Sequence, residues 1–116
     1  MKAYLAGPMT GIKHHNFPLF DHVTEQLRAA GYETYNPADL TRNFWGSLEA
    51  FEAMPPDEQL YSVKTLLAKE LTWVCLNAEV VYFLPGWENS YGARAEHAAA
   101  SACKIEIRMV PEEMLP

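Results

Sequence analysis

The sequence predicts an α/β fold built on a parallel sheet, and three observations carry that expectation. Short apolar runs alternate with longer amphipathic segments along the chain. Val80-Val81-Tyr82-Phe83-Leu84 is an unbroken apolar run, the pattern of a central parallel strand covered on both faces. Gly or Pro punctuates the segments, at Gly7-Pro8, Gly31, Asn36-Pro37 and Pro85-Gly86. A length of 116 residues fits a single domain spanning residues 1–116.

The elements follow in order. Ala3 to Ala6 reads as a buried first strand, closed by Gly7-Pro8. Asn16 is positioned to cap a helix that tolerates Pro18 in its first turn. Phe20, Val23, Leu27 and Ala30 fall on one face of that helix, and Gly31 stops it. Tyr32 to Tyr35 reads as a second strand. Residues 38–57 are less regular. Phe44, Trp45, Leu48 and Phe51 fit a short helix, and Pro55-Pro56 breaks any longer one. This segment suits a mobile lid, an interface or a packed surface insertion.

A long helix is expected from a cap near Asp57, with Leu60, Val63, Leu67, Leu71 and Val74 as its apolar stripe. The third strand spans Glu79 to Leu84. A loop from Trp87 to Tyr91 leads into an alanine-rich helix, Gly92 to Ala102. The last strand, Lys104 to Val110, alternates at Ile105, Ile107 and Met109. The order βαβ(α)αβαβ predicts a Rossmann-like (flavodoxin-like) parallel sheet of four to five strands with helices on both faces. Ligands of such sheets bind beyond the carboxyl ends of the strands. The loops 7–16, 36–43 and 85–91 meet that condition.

Composition narrows the function. The formal net charge of −6 argues against a nucleic-acid polymer as partner, because a polyanion demands a basic face. A small phosphate remains compatible, since a helix amino end binds one locally. No apolar run approaches the ~20 residues of a membrane span, and the amino end is too short in apolar length for a signal peptide. A soluble, cytoplasmic protein is the expectation. Cys75 and Cys103 form no CxxC pattern and are expected to be reduced packing residues. His14 and His15 are adjacent, and His22 and His97 lack an i, i+4 partner, so no metal site is predicted.

A few residues stand out as chemistry. Glu96 lies in the helix after the third strand among Ala93, Ala95, Ala98, Ala99 and Ala100, small residues that let a helix approach a sheet. It is either a solvated helix glutamate or a functional acid. It is not half of a capping box, because Ala93 stands three positions earlier. Glu70 sits inside or at the edge of the long helix's apolar stripe. A carboxyl there either snorkels to water or faces a pocket that raises its pKa. Gly7-Pro8-Met9-Thr10-Gly11 permits a close ligand approach but matches neither G-x-G-x-x-G nor a P-loop. Tyr4 suits the core. Asn89-Ser90-Tyr91-Gly92 opens the alanine-rich helix and suits either N-capping or anion binding.

Several of these strings also carry a resemblance. Tyr4-Leu5-Ala6-Gly7-Pro8-Met9-Thr10-Gly11, followed by Asn16-Phe17-Pro18, resembles the opening of the DUF4406-type proteins, found mostly in phages and bacteria. Tyr35-Asn36-Pro37-Ala38 and Leu84-Pro85-Gly86-Trp87-Glu88-Asn89-Ser90 through Gly92-Ala93-Arg94-Ala95-Glu96-His97 fit the same family. That family is similar to the nucleoside 2-deoxyribosyltransferases and the 2′-deoxynucleoside 5′-phosphate N-hydrolases. The resemblance implies cleavage of a 2′-deoxynucleoside or its 5′-monophosphate without a cofactor. It implies Glu96 as the nucleophile, Tyr4 as its orienting group and Glu70 as the acid that assists the leaving base. Position 70 departs from the resembling enzymes, which carry aspartate there. Ser90 is the nearest match to their phosphate-binding serine. Gly7, Pro8, Met9, Asn89 and Gly92 are the other expected substrate contacts. The resemblance further implies a homodimer or larger even assembly. Base exchange between nucleosides, or nucleotide binding without turnover, are the competing functions.

Overall fold

A computed structural model describes residues 1–116. Four strands, β1 (Lys2–Ala6), β2 (Glu33–Tyr35), β3 (Val80–Phe83) and β4 (Glu106–Met109), form one sheet in the order β2-β1-β3-β4. All three pairings are parallel. The chain is therefore an α/β protein with a Rossmann-like sheet, at the lower end of the expected strand number. Between β1 and β3 the strand order reverses, and crevices at such switch points are where open α/β sheets hold ligands.

Five α-helices connect the strands: α1 (Phe17–Ala29), α2 (Pro37–Trp45), α3 (Leu48–Glu52), α4 (Pro56–Asn77) and α5 (Tyr91–Ala102). No helix is long and apolar enough to cross a membrane. Strand alternation sorts the core into two layers. Ala3, Leu5, Val80, Tyr82 and Leu84 face α1, where they meet Phe20, Val23 and Leu27. Tyr4, Ala6, Val81 and Phe83 face the other way, onto Val74 of α4 and Ala93 and Ala100 of α5. Each large side chain fully removed from water in these layers contributes about 1.5–3 kcal/mol.

Several sequence expectations need correction. Asn16 stands at the amino end of α1 but makes no capping bond; its amide donates instead to the Pro8 carbonyl at 2.8 Å. Asp57 does not cap α4, which begins at Pro56 and has no side-chain cap. The stripe of α4 is also rotated from the expected one. Leu60 and Val63 are exposed, while Ser62, Leu66 and Val74 are buried. Glu70 completes that i, i+4 series, so the polar Ser62 and Glu70 belong to the inward face. Cys75 and Cys103 are exposed, because one lies on the outer side of α4 and the other at the carboxyl end of α5. In β4, Ile107 packs on the α5 side, but Met109 is exposed. That strand is an edge with no helix beyond it.

The 38–57 segment resolves into α2, the short α3 and the turns that flank them. It packs as a unit. Trp45 stacks on Phe51 at 3.9 Å, and its indole N–H donates to Ser62 Oγ at 2.5 Å. Arg42 bridges Asp21 of α1 to Asp39 of α2, with both Asp21 contacts under 3 Å. The bridge is partly exposed and contributes below about 1 kcal/mol.

Gly7, at the end of β1, shows how tightly the switch point is closed. A β-carbon there would lie 2.8 Å from both Cβ and Cδ1 of the buried Leu84. Gly7→Ala is expected to destabilise the fold by about 1–3 kcal/mol through overpacking. Chemical denaturation measures this; an unchanged midpoint would show that Leu84 yields freely.

Candidate active site

One cavity of about 410 Å³ opens at the carboxyl ends of β1 and β3. Its volume falls within the ~300–1,000 Å³ typical of small-molecule sites. All three predicted loops contribute. Gly7, Pro8, Met9 and Thr10 come from the first, Pro37 and Thr41 from the second, and Asn89, Ser90 and Tyr91 from the third. Gly92 and Ala93 of α5 and Val63, Leu66, Leu67 and Glu70 of α4 complete the opposite side. Every substrate-contact residue expected from the sequence therefore lines this space.

Tyr4, Glu70 and Glu96 meet in its wall. Tyr4 is carried by β1 at a position in register with Tyr35 of β2 and Val81 of β3. Its ring stacks on Tyr35 at 5.5 Å, and Trp73 of α4 packs against both. Its buried hydroxyl donates to Glu96 Oε2. Glu96 is only 4% exposed. It shares one face of α5 with Ala93 and Ala100, both buried against the sheet. Those small residues let the helix backbone approach closely, so a glutamate reaches the sheet interior. Glu70 descends from the inward face of α4 into the same wall, beside Glu96 and Tyr4.

Electrostatics follow from this crowding. Burial pushes the Glu70 carboxyl from its ordinary value up to about 7, while the Glu96 and Tyr4 side chains beside it pull it down. Glu96 is raised further. Burial is the first cause and the facing charge of Glu70 the second; the Tyr4 hydroxyl works against them. Tyr4 is raised by burial and by both acids, and Tyr35 is raised to about 12 for the same reasons. Poor solvation thus biases both carboxyls toward their protonated forms.

The amino end of α5 forms the other polar wall. Ser90 is its cap, accepting from the Ala93 N–H at 3.2 Å through Oγ; Asn89 is not the cap. Its hydroxyl proton is left free to donate. Arg94 points outward over the Tyr91 ring at 5.9 Å and pairs with no carboxylate. No lysine or arginine lines the cavity. The third loop is held by stacked rings, Trp87 on His97 at 4.6 Å, with Phe83 beneath both.

His15, Phe20 and Trp45 also line the cavity, although no residue pattern marks them as functional. Histidine spacing speaks only to metals, and the two aromatic residues look like ordinary core. Membership of the first loop is the one signal for His15.

The acid cluster ties stability to pH. The Glu70 contribution is fully present below the ordinary value of 4.5 and is lost as pH rises through about 7. The thermal midpoint is expected to fall between about pH 5 and about pH 8. Glu70→Gln, which cannot ionise, is expected to remove much of that slope and to be the more stable protein at the higher pH. Parallel midpoints for the two proteins would show that the carboxyl is solvated.

Comparison with known proteins supplies a family. No curated protein and no solved structure matches the chain. Residues 1–109 match the family described as a domain of unknown function, DUF4406. That span includes every strand and every residue of the acid cluster, and the chain belongs to the DUF4406 family.

Proposed function

We propose that the protein hydrolyses the N-glycosidic bond of a 2′-deoxynucleoside or its 5′-monophosphate. The observation that carries this reading is the buried Tyr4–Glu96 hydrogen bond, with Glu70 beside it, in the wall of a ligand-sized cavity. Paired carboxyls are the usual apparatus for breaking a bond at an anomeric carbon. Inverting enzymes keep theirs about 6.5–9.5 Å apart so that a water fits between. Here both carboxyls face one cavity beside the Tyr4 hydroxyl, and the family resemblance favours the covalent route. The resemblance of the string from Leu84 to Glu96 supports the 2′-deoxy sugar.

The steps use this chain's own groups. In the reactive state Glu70 carries a proton and Glu96 is a carboxylate held by the Tyr4 hydroxyl. Glu96 attacks C1′ as the C1′–N bond breaks, and its electron pair leaves with the base. Glu70 gives that base its proton. Water, deprotonated by Glu70, then opens the deoxyribosyl ester and frees Glu96. Glu70, one methylene longer than the aspartate of the resembling enzymes, lines the same cavity as Glu96, which supports the same role. A 5′-phosphate finds the Ser90 hydroxyl and the first amides of α5 but no basic side chain in the cavity wall.

The reading includes a homodimer or larger even assembly. Val63 and Tyr91 line the cavity yet are 44% and 87% exposed, and Leu60, one turn from Val63 on α4, is also exposed. Contiguous apolar surface at a site mouth suits coverage by a partner.

Chromatography of products from 2′-deoxynucleosides and their monophosphates tests the chemistry. The wild-type protein is expected to release free base. Glu96→Gln is expected to lower kcat by about a thousandfold or more. Tyr4→Phe is expected to cost about tenfold to a hundredfold, the worth of one hydrogen bond to a charged group. Release undiminished in Glu96→Gln removes the mechanism. Turnover only with an added acceptor base identifies a transferase, and binding without turnover identifies a binding module. Sedimentation is expected to give a dimer or larger species, shifted toward monomer by Leu60→Lys; a wild-type monomer at working concentration overturns the assembly.

A further inference from the structure

The loop between β1 and α1 carries a feature that the acid cluster does not use. Three consecutive residues, His14, His15 and Asn16, adopt left-handed backbone, with φ of 55°, 55° and 59°. None is glycine. That conformation costs a residue with a β-carbon roughly 1–2 kcal/mol, with Asn better suited to it than His. Specific contacts hold the segment. The Asn16 amide donates to the Pro8 carbonyl. The His15 ring meets Phe17 at 5.4 Å and Trp45 at 5.2 Å, edge to face in both cases. Trp45 is itself fixed by Ser62 and Phe51. A strained backbone thus delivers an imidazole to the cavity wall on rigid supports, and strain maintained at a concave site points to ligand contact.

Ring chemistry limits what His15 does there. Burial lowers its pKa, so the imidazole is neutral at neutral pH. A neutral ring offers one N–H donor and one nitrogen acceptor, and burial, with no hydrogen bond, is what shifts this ring. It is a poor proton donor under those conditions and a good reader of a mixed donor–acceptor edge. Trp45 borders the same cavity beside the imidazole and presents a narrow edge to a planar aromatic group, while Phe20 backs the wall fully buried.

We propose that His15 is the base-reading residue of this site, hydrogen-bonding the edge of a nucleobase that lies beside Trp45. The nucleobase as ligand rests on the N-glycosidase reading; the placement of the imidazole does not. His15 then determines which base is accepted and takes no part in breaking the bond.

The test uses calorimetry of the full-length protein with free adenine, guanine, cytosine and thymine, alongside turnover of the corresponding 2′-deoxynucleosides. His15→Asn retains a residue suited to left-handed backbone, and His15→Phe retains a ring without nitrogens. At least one base is expected to bind the wild-type protein, and both variants are expected to weaken it about tenfold. In turnover, KM is expected to rise more than kcat falls, and the preference among bases to shrink. His15→Asn is expected to keep or raise the thermal midpoint, because the strain is eased. Unchanged base affinity in both variants overturns the proposal, and so does a wild-type protein that binds no base. A lowered midpoint with unchanged affinity assigns His15 a structural role only and overturns it as well. Base affinity lost in the variants of a protein that releases no base upholds His15 and removes the glycosidase reading. Base release with unchanged KM in the variants does the reverse.

Discussion

A hydrogen bond from the Tyr4 hydroxyl to the Glu96 carboxyl, inside the protein and beside a second acid, is the contact around which the molecule is arranged. Burying a carboxylate costs several kcal/mol unless partners replace water. Each flanking element serves that need. The central strand β1 supplies a phenol where most strands carry an aliphatic side chain. The alanine face of α5 brings the glutamate backbone close to the sheet, and α4 supplies Glu70 from its inward side. Loss of any one of these leaves a polar group without its partner in a poorly solvated place.

The cluster also works against stability. Both carboxyls are pushed upward, so folding is disfavoured wherever they ionise. The stacked Tyr4, Tyr35 and Trp73 rings pack beside the acids, and the apolar layer under α1 offsets the cost on the other face of the sheet. Local instability concentrated at a cavity, with a robust core on the far face, is the distribution expected of a functional site.

The cavity joins two chemically different regions. Its acidic wall lies where α4 and α5 meet the sheet, and its aromatic wall lies where the first loop meets α2. The segment 38–57 matters because it supplies Trp45 to that aromatic wall, and its packing on Ser62 ties it to the helix that carries Glu70. With two acids and no lysine or arginine in its lining, the cavity has an acidic character, which suits the positive charge that the proposed reaction develops.

The residue pattern alone determined the fold class, because an unbroken apolar strand and alternating helical periods leave few arrangements other than a parallel sheet. It also determined which three loops converge, since parallel strands place all their carboxyl ends on one edge. Glu96 was legible as a glutamate amid small residues, and Glu70 as an acid near an apolar stripe. Other features depended on contacts distant in sequence. The rotation of α4 that exposes Leu60 and buries Ser62 follows from Trp45, which has no local signature as a partner. The exposure of Cys75 and Cys103 follows from which faces of α4 and α5 the sheet takes up. Local periodicity cannot fix the rotation of a helix bearing apolar residues on more than one side. The tertiary structure alone decided that Tyr4 and Glu96, 92 positions apart, share a proton-bearing contact. It likewise decided that His15 joins their cavity on a left-handed turn, because backbone strain is set by surrounding packing and leaves no trace in residue spacing.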